Sequence, residues 1–194
     1  MAELTDERRL VLLAQCGDRE AIEQLLLRLQ RSLSRYVRGL VGESASEDVL
    51  QDVFVKIWRN LKSLEKPELL RPWVYRIASR ACFAHLRRQQ RWPERLGDGA
   101  EVEDLPSTSV SGPPELIGGL EALIEDVPPA SRAVLLLHYG QDLSIEEASA
   151  ILNIGIGTAK SRLAYGLACL RKHIGKKGEC NAGTIVRSSA PGVK

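Results

Sequence analysis

Residues 143–163 read LSIEEASAILNIGIGTAKSRL, and the order of caps, apolar residues and turn formers in this stretch decides how the rest of the chain is read. Ser144-Ile145-Glu146-Glu147 is a capping box, in which the serine hydroxyl and the glutamate carboxylate each accept the other residue's free backbone N–H at a helix start. The apolar run to Leu152 then meets Asn153, a residue that tolerates the left-handed conformation, and Gly155-Ile156-Gly157-Thr158 opens a second, longer helix. The spacing predicts helix, tight turn, helix. In the long helix Ile156, Ala159, Leu163, Leu167, Leu170 and Ile174 recur at helical steps and are expected to face a core. Thr158, Ser161, Arg162, Tyr165 and Lys172 are left in a line on the outside.

An outward stripe with small hydrogen-bonding residues first and cations after has the chemistry of a helix that enters the major groove of DNA. Its first turn meets base edges, and arginine or lysine reaches guanine edges and phosphates. A plain helical hairpin with a solvated face carries the same local pattern, so the charge distribution has to decide. The net charge is only +2, but it is sorted along the chain. Arg71 to Trp92 holds six arginines and no acid, and Gly155 to Lys177 holds two arginines, four lysines and no acid. Between them, Pro93 to Asp126 sets nine acids against one base, Arg95, and contains Asp98-Gly99, Pro106-Ser107 and Gly112-Pro113-Pro114. That composition is expected of a flexible linker. Two cationic surfaces on an acidic tether suit two contacts on one polyanion.

Upstream of the tether the chain reads as helix almost throughout. Leu10, Leu13, Ala14 and then Ala21, Leu25, Leu26, Leu29 fit two amphipathic pieces broken near Gly17-Asp18. Ser44-Ala45-Ser46-Glu47 has the form of a second capping box. The helix after it is expected to bury Leu50, Val53, Phe54, Ile57, Trp58 and Leu61 and to show Asp48, Gln51, Asp52 and Val55 on its other side. A further helix is expected from Pro72 to about Arg91, with Val74, Ile77, Ala78 and Ala81 inward and Arg76, Arg80, Phe83 and Arg87 aligned on a different face. Beyond the tether, Pro128-Pro129 starts a helix whose run Val134 to Leu137 is apolar and which Gly140 is expected to end. The fold expected is all-α: an N-terminal helical bundle over 1–92, a flexible acidic linker over 93–112, a four-helix domain with the helix-turn-helix over 113–174, and a disordered tail over 175–194.

Other functions find little support. The three histidines (85, 138, 173) are scattered without partners at ligand spacing, so neither catalysis nor a metal site nor a cofactor is expected, and His138 reads as a core or edge residue. The four cysteines form no Cys-x-x-Cys pair. Cys16, Cys82 and Cys169 read as small apolar packers, and Cys180 as an exposed thiol in a polar tail. No apolar run approaches a membrane span and Met1 to Arg9 is unlike a signal sequence, so a cytoplasmic location without membrane insertion is expected.

Two strings carry a family resemblance. Residues 48–61, DVLQDVFVKIWRNL, followed by 71–78, RPWVYRIA, and the basic Leu86-Arg87-Arg88, resemble region two of extracytoplasmic-function (ECF) sigma factors. The 143–163 stretch resembles their region four. The order is right, and a linker stands where longer sigma factors carry an extra domain. The resemblance implies a factor that binds RNA polymerase core, through the clamp helices of its largest subunit and its flap, and directs initiation at specific promoters, in a stress or environmental response. By that carry-over Asp48, Gln51 and Asp52 contact polymerase. Trp73, Tyr75, Arg76, Arg80, Phe83, Arg87 and Arg88 engage and open the minus-10 element, aromatics against unpaired bases and arginines on the backbone. Thr158, Lys160, Ser161, Arg162, Tyr165 and Lys172 read the minus-35 element as duplex. An anti-sigma factor is an implied partner. Arg80, Ala84 and His85 depart from the Asn and Asp-Arg usual in the family, Pro72 replaces a common small residue, and Gly155 stands where a capping Ser is common. The alternative is an autonomous helix-turn-helix regulator that needs no polymerase docking.

Overall fold

Local capping sets most helix boundaries, and the packing that follows places every candidate side chain. The structure, a computed structural model, describes residues 2–89, 124 and 127–182, with side chains over 6–89, 124 and 127–172. Among the described residues all regular structure is helical: α1 (Ala2–Gln15), α2 (Arg19–Val41), α3 (Glu43–Asn60), 3-10 turns at Leu61–Ser63 and Pro67–Leu69, α4 (Leu70–Arg88), α5 (Pro129–Gln141), α6 (Ile145–Leu152) and α7 (Ile156–Ala182). The expected linker over 93–112 lies outside the described residues, as does the tail beyond 182. Helix α7 continues to Ala182, past position 174 where the second module was expected to end. Among the described residues no helix is long and apolar enough to cross a membrane.

The break between α1 and α2 falls where the sequence puts it. Gly17 takes a positive φ of 95°, and the Asp18 carboxylate accepts from the backbone N–H of Glu20 (3.0 Å) and Ala21 (3.1 Å). That side chain satisfies two donors that the helix itself leaves free. The expected capping box at Ser44 does not form. Helix α3 already begins at Glu43, and its cap is Gly42, at φ 83° and ψ 169°, a conformation close to glycine-only. One residue thus turns the chain from α2 into α3. Ser44 falls inside the first turn, and Glu43 pairs with Arg38 at 2.9 Å.

Helices α1 to α4 wrap a core of Leu25, Leu33, Val37, Val53, Ile57 and Val74. At its centre the rings of Tyr36 and Tyr75 meet edge to face, 5.3 Å between centroids. The Ser79 hydroxyl donates to the Tyr75 carbonyl at 2.7 Å, so its one proton is used and Tyr36 must donate to Ser79 across 2.6 Å. Burial raises the Tyr36 hydroxyl above the ordinary tyrosine range and pushes the neighbouring Cys82 thiol up to about 12. Gln15 closes the end of α3 by donating to the carbonyls of Leu61 (3.0 Å) and Leu64 (2.7 Å). Of the cysteines expected to pack, Cys82 is buried and Cys169 partly so, but Cys16 is exposed at the α1 turn.

The second module keeps the predicted punctuation. Pro129 occupies the first turn of α5, all of Val134 to Leu137 is buried, and the helix passes Gly140 to end at Gln141, with Asp142 left-handed at φ 53°. Gly140 does not terminate it because the left-handed turn falls two residues later, where the Leu143 N–H reaches back to the Leu137 carbonyl at 3.2 Å. His138 is an edge residue, its Nδ1 2.7 Å from the Leu143 carbonyl oxygen. The Ser144 capping box is complete: Glu147 N–H donates to Ser144 Oγ at 3.1 Å, and Ser144 N–H to Glu147 Oε2 at 2.8 Å. Ser144→Ala is expected to lower stability by about 1 kcal/mol, read as a lower urea midpoint with unchanged slope.

The two modules share one apolar core. Helix α5 packs on α2, and α6 packs on α4. Arg132 on α5 donates through Nη1 to the Gly39 and Leu40 carbonyls, 3.3 Å each, while its Nε and Nη2 hold Val127 O at 3.1 and 2.9 Å. Gly39 admits Leu136 so closely that an added Cβ would stand 2.8 Å from Leu136 Cδ1.

Candidate nucleic-acid interface

Helix α6 and the first turns of α7 make the helix-turn-helix. Asn153, left-handed at φ 54°, reverses the chain, and the Ile154 N–H reaches back to Ser149 O at 3.0 Å. The Gly155 carbonyl accepts the first bond of α7, from Ala159 N–H at 2.9 Å. Glycine at this position has no side-chain acceptor for the next free N–H groups. Against a capping serine that omission costs about a few tenths of a kcal/mol. Ala159 and Leu170 are buried, and Leu163 and Leu167 partly so, which anchors one side of α7. Ile156 was expected in that stripe but is exposed, at the first residue of α7. Thr158, Lys160, Ser161, Tyr165 and Lys172 are exposed as expected, and Arg162 is partly buried. That partial burial lowers the Arg162 pKa without threatening its charge.

On α4, Arg76, Arg80, Arg87 and Arg88 are exposed and Trp73 is partly covered. The aromatic half of the expected surface needs correction. Tyr75 is 1% exposed and Phe83 9%, so in this conformation neither offers a ring face to a base. The reason is position: α4 is packed by α2 and α3 on one side and by α6 on another, so its buried surface is wider than a single stripe. Tyr75, Ser79, Cys82 and Leu86, spaced four, three and four apart, form a second buried row that the apolar count alone missed. Its signal was there, in a Tyr and a Cys at helical spacing from Leu86.

The third candidate surface lies on α3. Asp48, Gln51 and Asp52 are exposed as expected. Trp58, expected inside, is 58% exposed, because Val49, not Trp58, completes the inward row with Val53 and Ile57. Asp48, Gln51, Asp52, Val55 and Trp58 therefore share one solvent-facing stripe, acidic at one end and aromatic at the other. Beside it, Gln51 and Val55 also line a groove of about 390 Å³ between α2 and α3, with Arg38, Glu47 and Phe54. Among the described residues no group of three or more His, Cys, Asp or Glu could hold a metal ion.

Comparison with known proteins matches both modules. Residues 25–92 match Sigma-70 region 2 and residues 117–170 match Sigma-70, region 4. The ECF RNA polymerase sigma-E factor of Escherichia coli K12 is 30% identical over 174 residues, covering 84% of this chain and 91% of that protein. The protein of the same name from Haemophilus influenzae is 28% identical over an equal length. Among solved structures, the sigma factor RpoE of Bartonella quintana, seen with the anti-sigma factor NepR, superposes with a TM-score of 0.61 at 23% identity, covering 79% of this chain and 96% of that one. CnrH, seen with the cytosolic domain of CnrY, gives 0.59 at 21% identity over 92% and 99%. With two family regions in the expected order and a relative of that identity along most of its length, the chain belongs to the ECF sigma factors of the sigma-70 family, non-enzymatic initiation factors that direct RNA polymerase to specific promoters.

Proposed function

We propose that the three surfaces divide the work of initiation. The α3 stripe of Asp48, Gln51 and Asp52, extended by Val55 and Trp58, docks on the clamp helices of the largest polymerase subunit. The arginine row of α4, Arg76, Arg80, Arg87 and Arg88 with Trp73, holds the minus-10 element as its strands part, and Tyr75 and Phe83 sit beneath that row. The face of α7 formed by Thr158, Lys160, Ser161, Arg162, Tyr165 and Lys172 reads the minus-35 element, with the second module against the polymerase flap. The observation that carries this is the exposure of cations on both α4 and α7 while each helix is anchored by an apolar row on its other side. Cations presented that way gain affinity by releasing counterions from phosphates.

Specificity comes from holding two weak contacts at one spacing, since a linked second contact gains effective concentration only where the tether reaches. The acidic 93–112 segment, we propose, acts as that tether. An anti-sigma factor is a proposed partner, as NepR is for RpoE of Bartonella quintana, and the proposed setting is a cytoplasmic stress or environmental response. Runoff transcription with bacterial core polymerase over a library of promoter sequences tests the whole assignment. Enrichment of a two-part promoter is expected, whereas an autonomous helix-turn-helix regulator would bind DNA and direct no initiation.

Within α7, Arg162→Ala is expected to cost about 1 to 3 kcal/mol of discrimination at the upstream element. Transcription from templates with intact and scrambled upstream sequence measures it. A loss equal on both templates would make Arg162 a phosphate contact only.

A further inference from the structure

We infer that Gln15, a residue of α1 that belongs to none of the three proposed contact surfaces, is a positioning residue for promoter opening, because its side chain pins the connector between α3 and α4. This rests on the assignment of α3 to polymerase and of α4 to the minus-10 element. The connector, residues 61–69, begins and ends in 3-10 turns, Leu61–Ser63 and Pro67–Leu69. Such turns have poorer hydrogen-bond geometry than an α-helix and hold their shape less firmly. Among the described residues, Gln15 alone reaches this connector with hydrogen bonds from another part of the chain. Its Nε2 donates one proton to Leu61 O at 3.0 Å, where α3 ends, and the other to Leu64 O at 2.7 Å. Both donors of the amide are thus in use. Leu61 and Leu64 are also the connector residues whose side chains are buried, so the segment is fastened from the core and from α1 at the same two points.

What the connector carries is the start of the minus-10 row. Helix α1 packs on both 3-10 turns, and the second of them packs on α4. Leu69, exposed at the end of the connector, stands four residues before Trp73, and Arg76 and Arg80 follow at steps of three and four on the same face. The middle of α4 is fixed by Tyr75 and Ser79 in the core, whereas its first turn, which carries Trp73, is held by the connector and by buried Leu70. Docking and opening make different demands on this arrangement. Docking uses the α3 stripe alone. Opening needs separated bases to meet Trp73 and the arginines at a fixed place relative to a docked α3, since stacking and phosphate contacts act only at contact distance. Gln15 makes neither contact and sets where the second lies relative to the first.

Gln15→Met in the full-length chain keeps the length of the side chain and removes both donors. Its affinity for core polymerase is expected to match wild type. On a duplex promoter taken from the library, permanganate reactivity of unpaired thymines across the minus-10 element is expected to fall by on the order of tenfold, the scale of effect that a misplacement of under 1 Å has on positioned groups. On the same promoter opened beforehand by mismatches over that element, initiation is expected to return to the wild-type level. A general loss of stability would instead lower polymerase assembly and initiation on both templates alike, and that result overturns the proposal. So does wild-type permanganate reactivity on the duplex, or a defect that the mismatched template leaves in place. Gln15→Asn keeps the amide on a side chain one methylene shorter, which cannot hold both carbonyls from the same backbone position, and it carries the same comparison where Gln15→Met fails to fold. Arg80→Ala separates this role from the reading of α4 itself. It is expected to lose opening on the duplex whatever Gln15 does, and an Arg80→Ala protein that opens the promoter as wild type does would sink the assignment of α4 and the proposal with it.

Discussion

Asp48→Arg combined with Asp52→Arg is expected to weaken assembly with core polymerase by about 100-fold or more, and Trp58→Ala to approach that effect alone. All three side chains lie on the exposed stripe of α3, so their replacement leaves the core of Val49, Val53 and Ile57 untouched. Exposed substitutions of this kind change stability by within about 0.5 kcal/mol. At a docked interface the balance differs. Reversing a carboxylate that meets a cation both removes the attraction and juxtaposes like charges, which costs several kcal/mol. A 100-fold loss is about 2.7 kcal/mol, well within what two such reversals supply. Trp58 is 58% exposed in the free chain, and a large ring so displayed beside charged residues has the character of an interface anchor, of which truncation costs about 2 kcal/mol or more. Titration of labelled core polymerase with each variant measures the loss, and circular dichroism checks that helicity is kept. Unchanged affinity in both variants would move the docking site off this stripe.

That stripe also shows what the sequence could and could not reveal. Asp48, Gln51 and Asp52 were legible because charges at helical steps in an apolar helix have to face water. Trp58 was not, because counting it as apolar gave a satisfactory buried row, and only the choice of Val49 as the inward residue puts it outside. The same limit applies to α4. Its first buried row was legible from Val74, Ala78 and Ala81, but the second, through Tyr75, Ser79 and Cys82, depends on what packs there from other parts of the chain. Ser79 in that row is polar and buried because Tyr36 and the Tyr75 carbonyl satisfy it, a pairing that no single-helix pattern contains. The break at Gly17-Asp18 and the capping box at Ser144 were legible, while the capping role of the Asp18 carboxylate emerged only in the structure. The Ser44 box failed because Gly42, with a backbone conformation that side chains disfavour, turns the chain sooner. Module docking had no signature in the sequence: Gln141 and Gly39 are ordinary residues until Tyr75 and Leu136 are set against them.

Gly166→Leu is expected to destabilise the second module by about 2 to 3 kcal/mol, which is a large part of what a small helical domain has to lose. At this point α7 crosses α5 with no room between them: an added Cβ would stand 2.7 Å from Leu135 Cδ1, 3.1 Å from Leu135 Cγ and 3.5 Å from Ser131 Cβ. Leu135 is itself buried and cannot swing into solvent to make way. Helix propensity pulls in the other direction, since replacing an interior glycine gains about 0.8 kcal/mol. For Gly166→Ala that gain offsets part of the cost of the contact, so alanine is expected to be milder than leucine, which adds three more carbons. Steric pressure that lifts α7 from α5 also tilts the face carrying Thr158, Ser161 and Arg162, so upstream-element preference is expected to fall with stability while polymerase docking through α3 persists. Urea denaturation and the paired upstream templates measure the two effects. Leu135→Ala in the Gly166→Leu background is expected to recover part of both, because two substitutions sharing one contact are not additive. A Gly166→Leu protein with wild-type midpoint and wild-type upstream preference would show that the α5 contact does not set the position of the recognition helix.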